Sequence, residues 1–331
     1  MLSESRKGTP MKKNYLSIVA GGLLLVPLAP LLSAPASQSV LAQDTKVVSP
    51  DTILRDKRPI VHPGQVKFGA YDPHGDFTDQ SNVDVEHLFL PWEDVDLATL
   101  AAADEYAMAR HRKLLITIEP WSWDVDWRLS TEELRQKVLS GEYDPNIRAI
   151  AVAIKALKSP VTVRFAQEME DITTARFTWQ GWSPQDYVSA YKRVIDIIRK
   201  ERPDVVAMWS PKGLEGLKDY YPGDDYVDLI GLSVFGLEAY DKIEYGGPKT
   251  FAESLEPGYN RVVGFNKPIW VAELGYEGST QYMMPWIQTA TATNEKFPEL
   301  KEVVYFNDKD VHPWPYALGK PDWRVVRQVT N

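Results

Sequence analysis

Residues 161–171 read VTVRFAQEMED, and the fold is decided there. The stretch opens on alternating β-branched and small residues, the pattern of a short buried strand, and closes on three carboxylates, Glu168, Glu170 and Asp171. An apolar strand that ends in acids carries charge at its carboxyl edge, which in an α/β barrel is the functional face. Residues 268–278, PIWVAELGYEG, repeat the pattern: a hydrophobic strand, Glu273 near its end, then glycine.

Working outward, short apolar runs recur between amphipathic segments. Strands are predicted at 66–71, 87–91, 114–119, 161–168, 205–210, 229–235, 269–274 and 303–307. Helices are expected from about Leu97 to Arg112 and over 131–140, 145–157, 184–201, 249–264 and 280–296. Ser183-Pro184 supplies an N-cap and a first-turn proline for the fourth of these. Eight strands separated mostly by helices predict one (β/α)8 TIM barrel, and the chain of 331 residues is long enough for it.

Three segments are expected. Lys12 and Lys13 precede an apolar run over 16–32, then small residues, so 1–42 reads as a cleavable signal peptide with Ala42 last. A second cleavage candidate is Ala34-Pro35-Ala36, and Met11 is a second possible start. Residues 43–65 form a polar leader, and 66–331 the barrel. The expected destination is the periplasm or the medium, without a membrane anchor once the signal is removed. A monomer is the default.

A formal charge of −9 argues against nucleic acid or other polyanionic partners, which need a basic surface, while a neutral polymer would not be repelled. Eleven tryptophans and sixteen tyrosines offer flat faces suited to sugar rings as well as to core packing. Without cysteine there is no thiol nucleophile, thiolate metal site or disulfide. The five histidines lack metal-ligand spacing, and no P-loop, dinucleotide fingerprint or GxSxG occurs, so neither metal nor cofactor is expected.

Two strand-end glutamates far apart in sequence suit cleavage of a glycosidic bond with retention, which needs one carboxylic acid and one carboxylate nucleophile. Arg164 shares a strand face with Glu168 by period-two counting and is expected to fix a catalytic carboxylate. Glu170 shares that face too and becomes the acid if the register shifts. Glu119, beside Trp121 and Trp123, reads either as part of a glycan subsite or as a rim packing group. Asp171 and Glu277 read as solvated loop acids.

Five motifs in order resemble glycoside hydrolase family 26, the retaining β-mannanases and their relatives. They are GEYDPNIRAIA (141–151), VRFAQEM (163–169), MWSPKG (208–213), YYPGDDYVDLIGLSVFG (220–236) and IWVAELG (269–275). The resemblance implies Glu168 as acid/base and Glu273 as nucleophile. It implies a β-linked polysaccharide as substrate: mannan in the first place, a mixed-linkage β-glucan or β-1,3-xylan otherwise. A non-catalytic glycan-binding barrel is the rival from another class. The family's mannanases usually place histidine before the acid, where this chain has Gln167, expected to bond a sugar hydroxyl. Their Asn-Gly and tryptophan after the acid are replaced by Glu170-Asp171-Ile172, so Trp179 or Trp182 is expected to supply the stacking face. The tyrosine that commonly ends strand six is Phe235. Trp209 and Trp314 complete the expected substrate contacts, with His312 as a rim residue.

Overall fold

The computed structural model describes residues 56–174 and 176–326. The expected signal segment and the first part of the leader lie outside them. Eight parallel strands close into a barrel in chain order: β1 (Lys67–Tyr71), β2 (Val85–Pro91), β3 (Lys113–Glu119), β4 (Val161–Phe165), β5 (Val206–Trp209), β6 (Leu229–Leu237), β7 (Ile269–Glu277) and β8 (Leu300–Phe306). The helices are α1 (Thr99–Ala109), α2 (Thr131–Ser140), α3 (Asp144–Lys155), α4 (Pro184–Glu201), α5 (Glu238–Glu244), α6 (Phe251–Val262) and α7 (Thr280–Thr289). The barrel is the one the sequence predicts.

Local chemistry sets the helix boundaries. Ser130 and Glu133 form a reciprocal capping box at the start of α2, and Thr250 and Glu253 form another at α6. Ser183 caps α4, its hydroxyl accepting from Asp186 N–H ahead of Pro184. Gly141 ends α2 at φ +83, where a Cβ would also strike the Arg193 guanidinium.

Each strand is buried on both faces, as parallel strands covered by helices must be. Outward residues such as Ile116, Val163 and Ile230 pack beneath the helices. Inward residues fill the barrel with a plug of Val85, Leu115, Met208, Leu229, Trp270, Ala272 and Val304. Above this plug the inward positions turn polar, with His87, Thr117, Arg164 and Ser210 all buried. The polar layer is the floor of the site.

Several boundaries differ from the expectation. The fourth strand stops at Phe165, because Ala166 and Glu168 take left-handed φ of +46 and +56, which no strand tolerates. Strands β6 and β7 run further, pairing from Ser233↔Glu273 to Leu237↔Glu277. The last helix ends at Thr289, and the short α5 was not foreseen. The described end of the leader packs on the barrel. Lys57 is fully buried and donates to Glu277 and to the Tyr276 and Asp322 carbonyls. Asp56 pairs with Val326.

Candidate active site

Glu273 and Glu168 end the strand segments that the sequence singles out, and the barrel order sets β7 and β4 on facing sides of the mouth. Arg164 joins them from the floor. Its guanidinium is fully buried and donates to Glu273 Oε1 at 2.5 Å and to Ser210 Oγ at 2.8 Å. Ser210 in turn donates to the Gly231 carbonyl at 3.0 Å, so the arginine is fixed from β5 and β6. Such a charge-assisted contact holds one carboxylate in a single orientation.

Burial pushes the Glu273 carboxyl up to about 7, with the Glu168 charge adding to the effect and Arg164 opposing it. Of the two glutamates Arg164 bonds Glu273 alone, and its guanidinium favours the charged form there. No group among the described residues hydrogen-bonds the Glu168 carboxylate. Its own backbone, by contrast, is tied on every side. Glu168 N–H donates to Ser210 O at 2.8 Å, and Glu168 O accepts from Gln180 Nε2 at 3.1 Å. The preceding carbonyl, Gln167 O, accepts from Trp179 Nε1 at 2.7 Å. A free carboxyl on a clamped, strained backbone suits a proton donor.

Glu170 is turned away from the mouth. Its carboxylate accepts from Gly213 N–H at 2.8 Å and Leu214 N–H at 3.1 Å, in the loop after β5. The period-two count that placed it beside Glu168 fails because the strand has already ended. Asp171 and Glu277 are not free loop acids, contrary to expectation. Asp171 is fully buried, ion-paired to Lys212 and bonded by Thr173 and Thr174; Glu277 meets the buried Lys57.

Glu119 organises the neighbouring wall. Its oxygens accept from Gln167 Nε2 at 3.0 Å, Trp121 Nε1 at 3.0 Å and Trp123 Nε1 at 2.8 Å. Gln167 is 1% exposed, so it braces Glu119 instead of offering its amide N–H to a sugar. Trp121 is covered on one face by the Arg128 guanidinium, 3.8 Å from the ring centroid, and Trp123 is half-buried.

The other aromatic expectations separate. Trp209 is fully buried outside the barrel against Tyr221 and Phe265, because its neighbour Met208 takes the inward position. It is no substrate contact. Trp179 is also fully buried, and Phe177 stacks on it at 4.6 Å, nearly parallel. The half-buried Phe177 therefore presents the face that Trp179 was expected to supply. Trp182 is buried too, its Nε1 donating to Thr131 O. Phe235 is half-buried at the mouth, between Phe306 and Trp323. Trp314 lies on the rim, edge-on to Trp323 and bonded to Asp310.

Tyr71, Phe89 and Phe306 close the aromatic floor, and sequence reasoning missed all three. Tyr71 and Phe306 end their strands, the same positional rule that found the glutamates. Burial raises the Tyr71 hydroxyl, with the charges of Asp308, Glu119 and Glu273 adding, so its ring shares the pocket of the acids. Among the described residues, no group of three or more His, Asp or Glu is arranged to hold a metal, and no helix is long and apolar enough to cross a membrane.

Residues 122–298, more than half of the chain, match the profile of glycosyl hydrolase family 26. The chain belongs to glycosyl hydrolase family 26. This family-26 chain is 30% identical over 107 residues to a β-1,3-xylanase of Alcaligenes sp, covering 30% of this chain and 22% of that one. It is 26% identical over 140 residues to the mannan endo-1,4-β-mannosidase of Bacillus subtilis (strain 168), covering 40% and 33%. The chain thus spans no more than a third of either relative. Its barrel superposes on the catalytic domain of the GH26 endo-β-1,4-mannanase of Bacillus sp. JAMB-750 with a TM-score of 0.58 at 13% identity, covering 73% and 77%, a likeness of fold alone.

Proposed function

We propose that this family-26 barrel hydrolyses a β-linked polysaccharide with retention, Glu273 acting as nucleophile and Glu168 as acid/base, in the periplasm or the medium. The observation that carries the reading is the asymmetry of the pair: Arg164 bonds Glu273, and nothing among the described residues bonds the Glu168 carboxyl. Glu273 Oε attacks the anomeric carbon while Glu168 passes its proton to the leaving glycosidic oxygen, giving a glycosyl ester. Glu168, now a carboxylate, takes a proton from water, whose oxygen displaces Glu273 and restores both groups. The first half-reaction moves the charge from Glu273 to Glu168, and the second returns it to Glu273, where Arg164 holds it.

The substrate is of the mannan type, which the Bacillus subtilis relative's name supports. A mixed-linkage β-glucan is the second reading, favoured by Gln167 at the place where the family's mannanases usually carry histidine. The test offers the purified protein mannan, mixed-linkage glucan, β-1,3-xylan and cellulose beside Glu168→Ala and Glu273→Ala. Cleavage of one polymer, with the β-anomer first in proton NMR and at least a hundredfold lost in both variants, is expected. Turnover unchanged in either variant would sink the assignment. Binding without cleavage of any polymer would return the chain to the glycan-binding class.

A further inference from the structure

Strands β4 and β8 stand on opposite sides of the closed barrel, yet the loops that follow them meet. The Phe177 and His312 rings lie edge-on at 6.0 Å, and the Arg176 guanidinium carbon is 5.7 Å from the Trp314 ring centroid. The loop after β3 joins them, since Trp121 meets Phe177 edge-on at 5.5 Å and carries Arg128 over its other face. Three loops therefore bridge one side of the mouth, and cations collect on the bridge. Burial holds the half-buried His312 below the usual imidazole range; the charges of Arg176, Arg128 and Lys320 add to this and Asp310 opposes it. All three cations thus bear on one ring.

Their bonding is more telling than their number. Arg128 Nε donates to the Ser122 carbonyl at 2.9 Å. Its two terminal amino groups and the whole Arg176 guanidinium have no acceptor among the described residues. Two carboxylates of these loops spend their oxygens on neutral N–H groups: Glu119 on Gln167, Trp121 and Trp123, Asp310 on His312 N–H and Trp314 Nε1. Elsewhere in this acidic chain arginines find carboxylates, as Arg112 finds Glu86, Arg193 finds Asp144 and Arg324 finds Asp322. Three cations face two carboxylates on the bridge, so the local field is close to balance. What the bridge offers is directional: guanidinium forks seated on indole rings with unused N–H groups, a geometry that matches a carboxylate.

We propose that this bridge is a subsite for an anionic sugar unit, so that the glycan handled by the cleft carries carboxylates, as a uronate-containing β-glycan does. The inference rests on the glycan reading above, but it puts an acidic glycan in place of the neutral mannan or β-glucan and goes against the expectation from net charge, because the contact is local and directional.

The test is equilibrium binding of two probes to the full chain. Mannotetraose and β-1,4-linked tetramannuronate share ring stereochemistry and differ at C6, hydroxymethyl against carboxylate. At about 20 mM salt, tetramannuronate is expected to bind roughly tenfold tighter, with the gap narrowing as salt rises. In Arg128→Gln/Arg176→Gln the affinity ratio falls toward one, and Arg176→Lys restores part of it. Should the double variant unfold, Arg176→Gln alone reads the same ratio, because that side chain has no hydrogen-bond acceptor among the described residues. Equal affinities, a preference untouched by the substitutions, or binding of neither probe would overturn the proposal. The two readings fail separately. Preference for the acid probe without hydrolysis of any β-glycan keeps the subsite and sinks the hydrolase. Hydrolysis of neutral chains without preference does the converse.

Discussion

Glu302 lies near the start of β8, opposite Lys67 of β1 and Trp270 of β7, 1% exposed and with one carboxylate oxygen buried and unbonded. Burial pushes its carboxyl up to about 8; Asp84 adds to the rise, and Lys113 and Lys67 oppose it. Both lysines reach Asp84 instead, at 2.7 and 3.3 Å, and leave Glu302 without an ion-pair partner. In the unfolded chain the group returns to the ordinary value of 4.5. The folded carboxyl therefore binds its proton more tightly, and protonation favours folding. That contribution is complete below pH 4.5 and is lost as the pH rises through 8. The gap corresponds to about 5 kcal/mol when fully expressed and about 3 kcal/mol by pH 7. Glu302→Gln removes the titration and keeps the shape. In denaturant unfolding between pH 4.5 and 9, the variant is expected to gain about 3 kcal/mol on the native sequence by pH 7, whatever the offset at acid pH. Parallel stability curves would refute the reasoning, and would mean that water or a lysine reaches Glu302 in solution.

Arg164→Met leaves Glu273 buried without its counter-charge. Its carboxyl rises further, so the acid limb of the pH profile of kcat/KM should move up by a unit or more, with stability down by about 3 kcal/mol. An unmoved limb would detach Arg164 from the chemistry. Asp171→Asn breaks the pair with Lys212 at the base of the acid loop. Because that contact holds the Asp171 carboxyl well below its ordinary range, the stability it contributes is present at neutral pH and lost only in strong acid. The variant should lose about 1–3 kcal/mol at pH 7, and kcat should fall more than KM rises.

The strands were legible because most are short runs rich in apolar residues and buried on both faces, β1 (KFGAY) being the one without a β-branched residue. Their ends were less so. Period-two counting carried β4 to Glu168, since alternation of residue types says nothing about φ, and the turn comes at Ala166, an ordinary residue in a left-handed conformation. The same count put Glu170 on the catalytic face. Trp209 failed for a related reason: a strand of four residues declares two faces without saying which is inward, and Met208 took that place. Glu168, Glu273 and Arg164 drew attention because each stands on or just after an apolar run, although Glu168 follows the end of β4 and Glu273 lies inside β7. Phe177 and Trp323 sit on loops, where sequence carries no comparable constraint.

The departures in the acid loop acquire a physical meaning from its contacts. Left-handed φ at Ala166 and Glu168 costs on the order of 1–3 kcal/mol each, so the loop must be held by its surroundings. Glu170 and Asp171, standing where the family's mannanases usually carry Asn-Gly, hold it: one takes two backbone N–H groups after β5, the other takes Lys212. From the other side Trp179 and Gln180 bond the carbonyls of Gln167 and Glu168. The residues that depart from the pattern thus sit under the acid, away from the sugar, and the stacking face has moved to Phe177. On the proposed reading, the glutamate pair and the arginine serve the reaction, and the altered loop residues support the acid from below. The rim that Phe177 joins with Arg176 and His312 is therefore where its specificity should be sought.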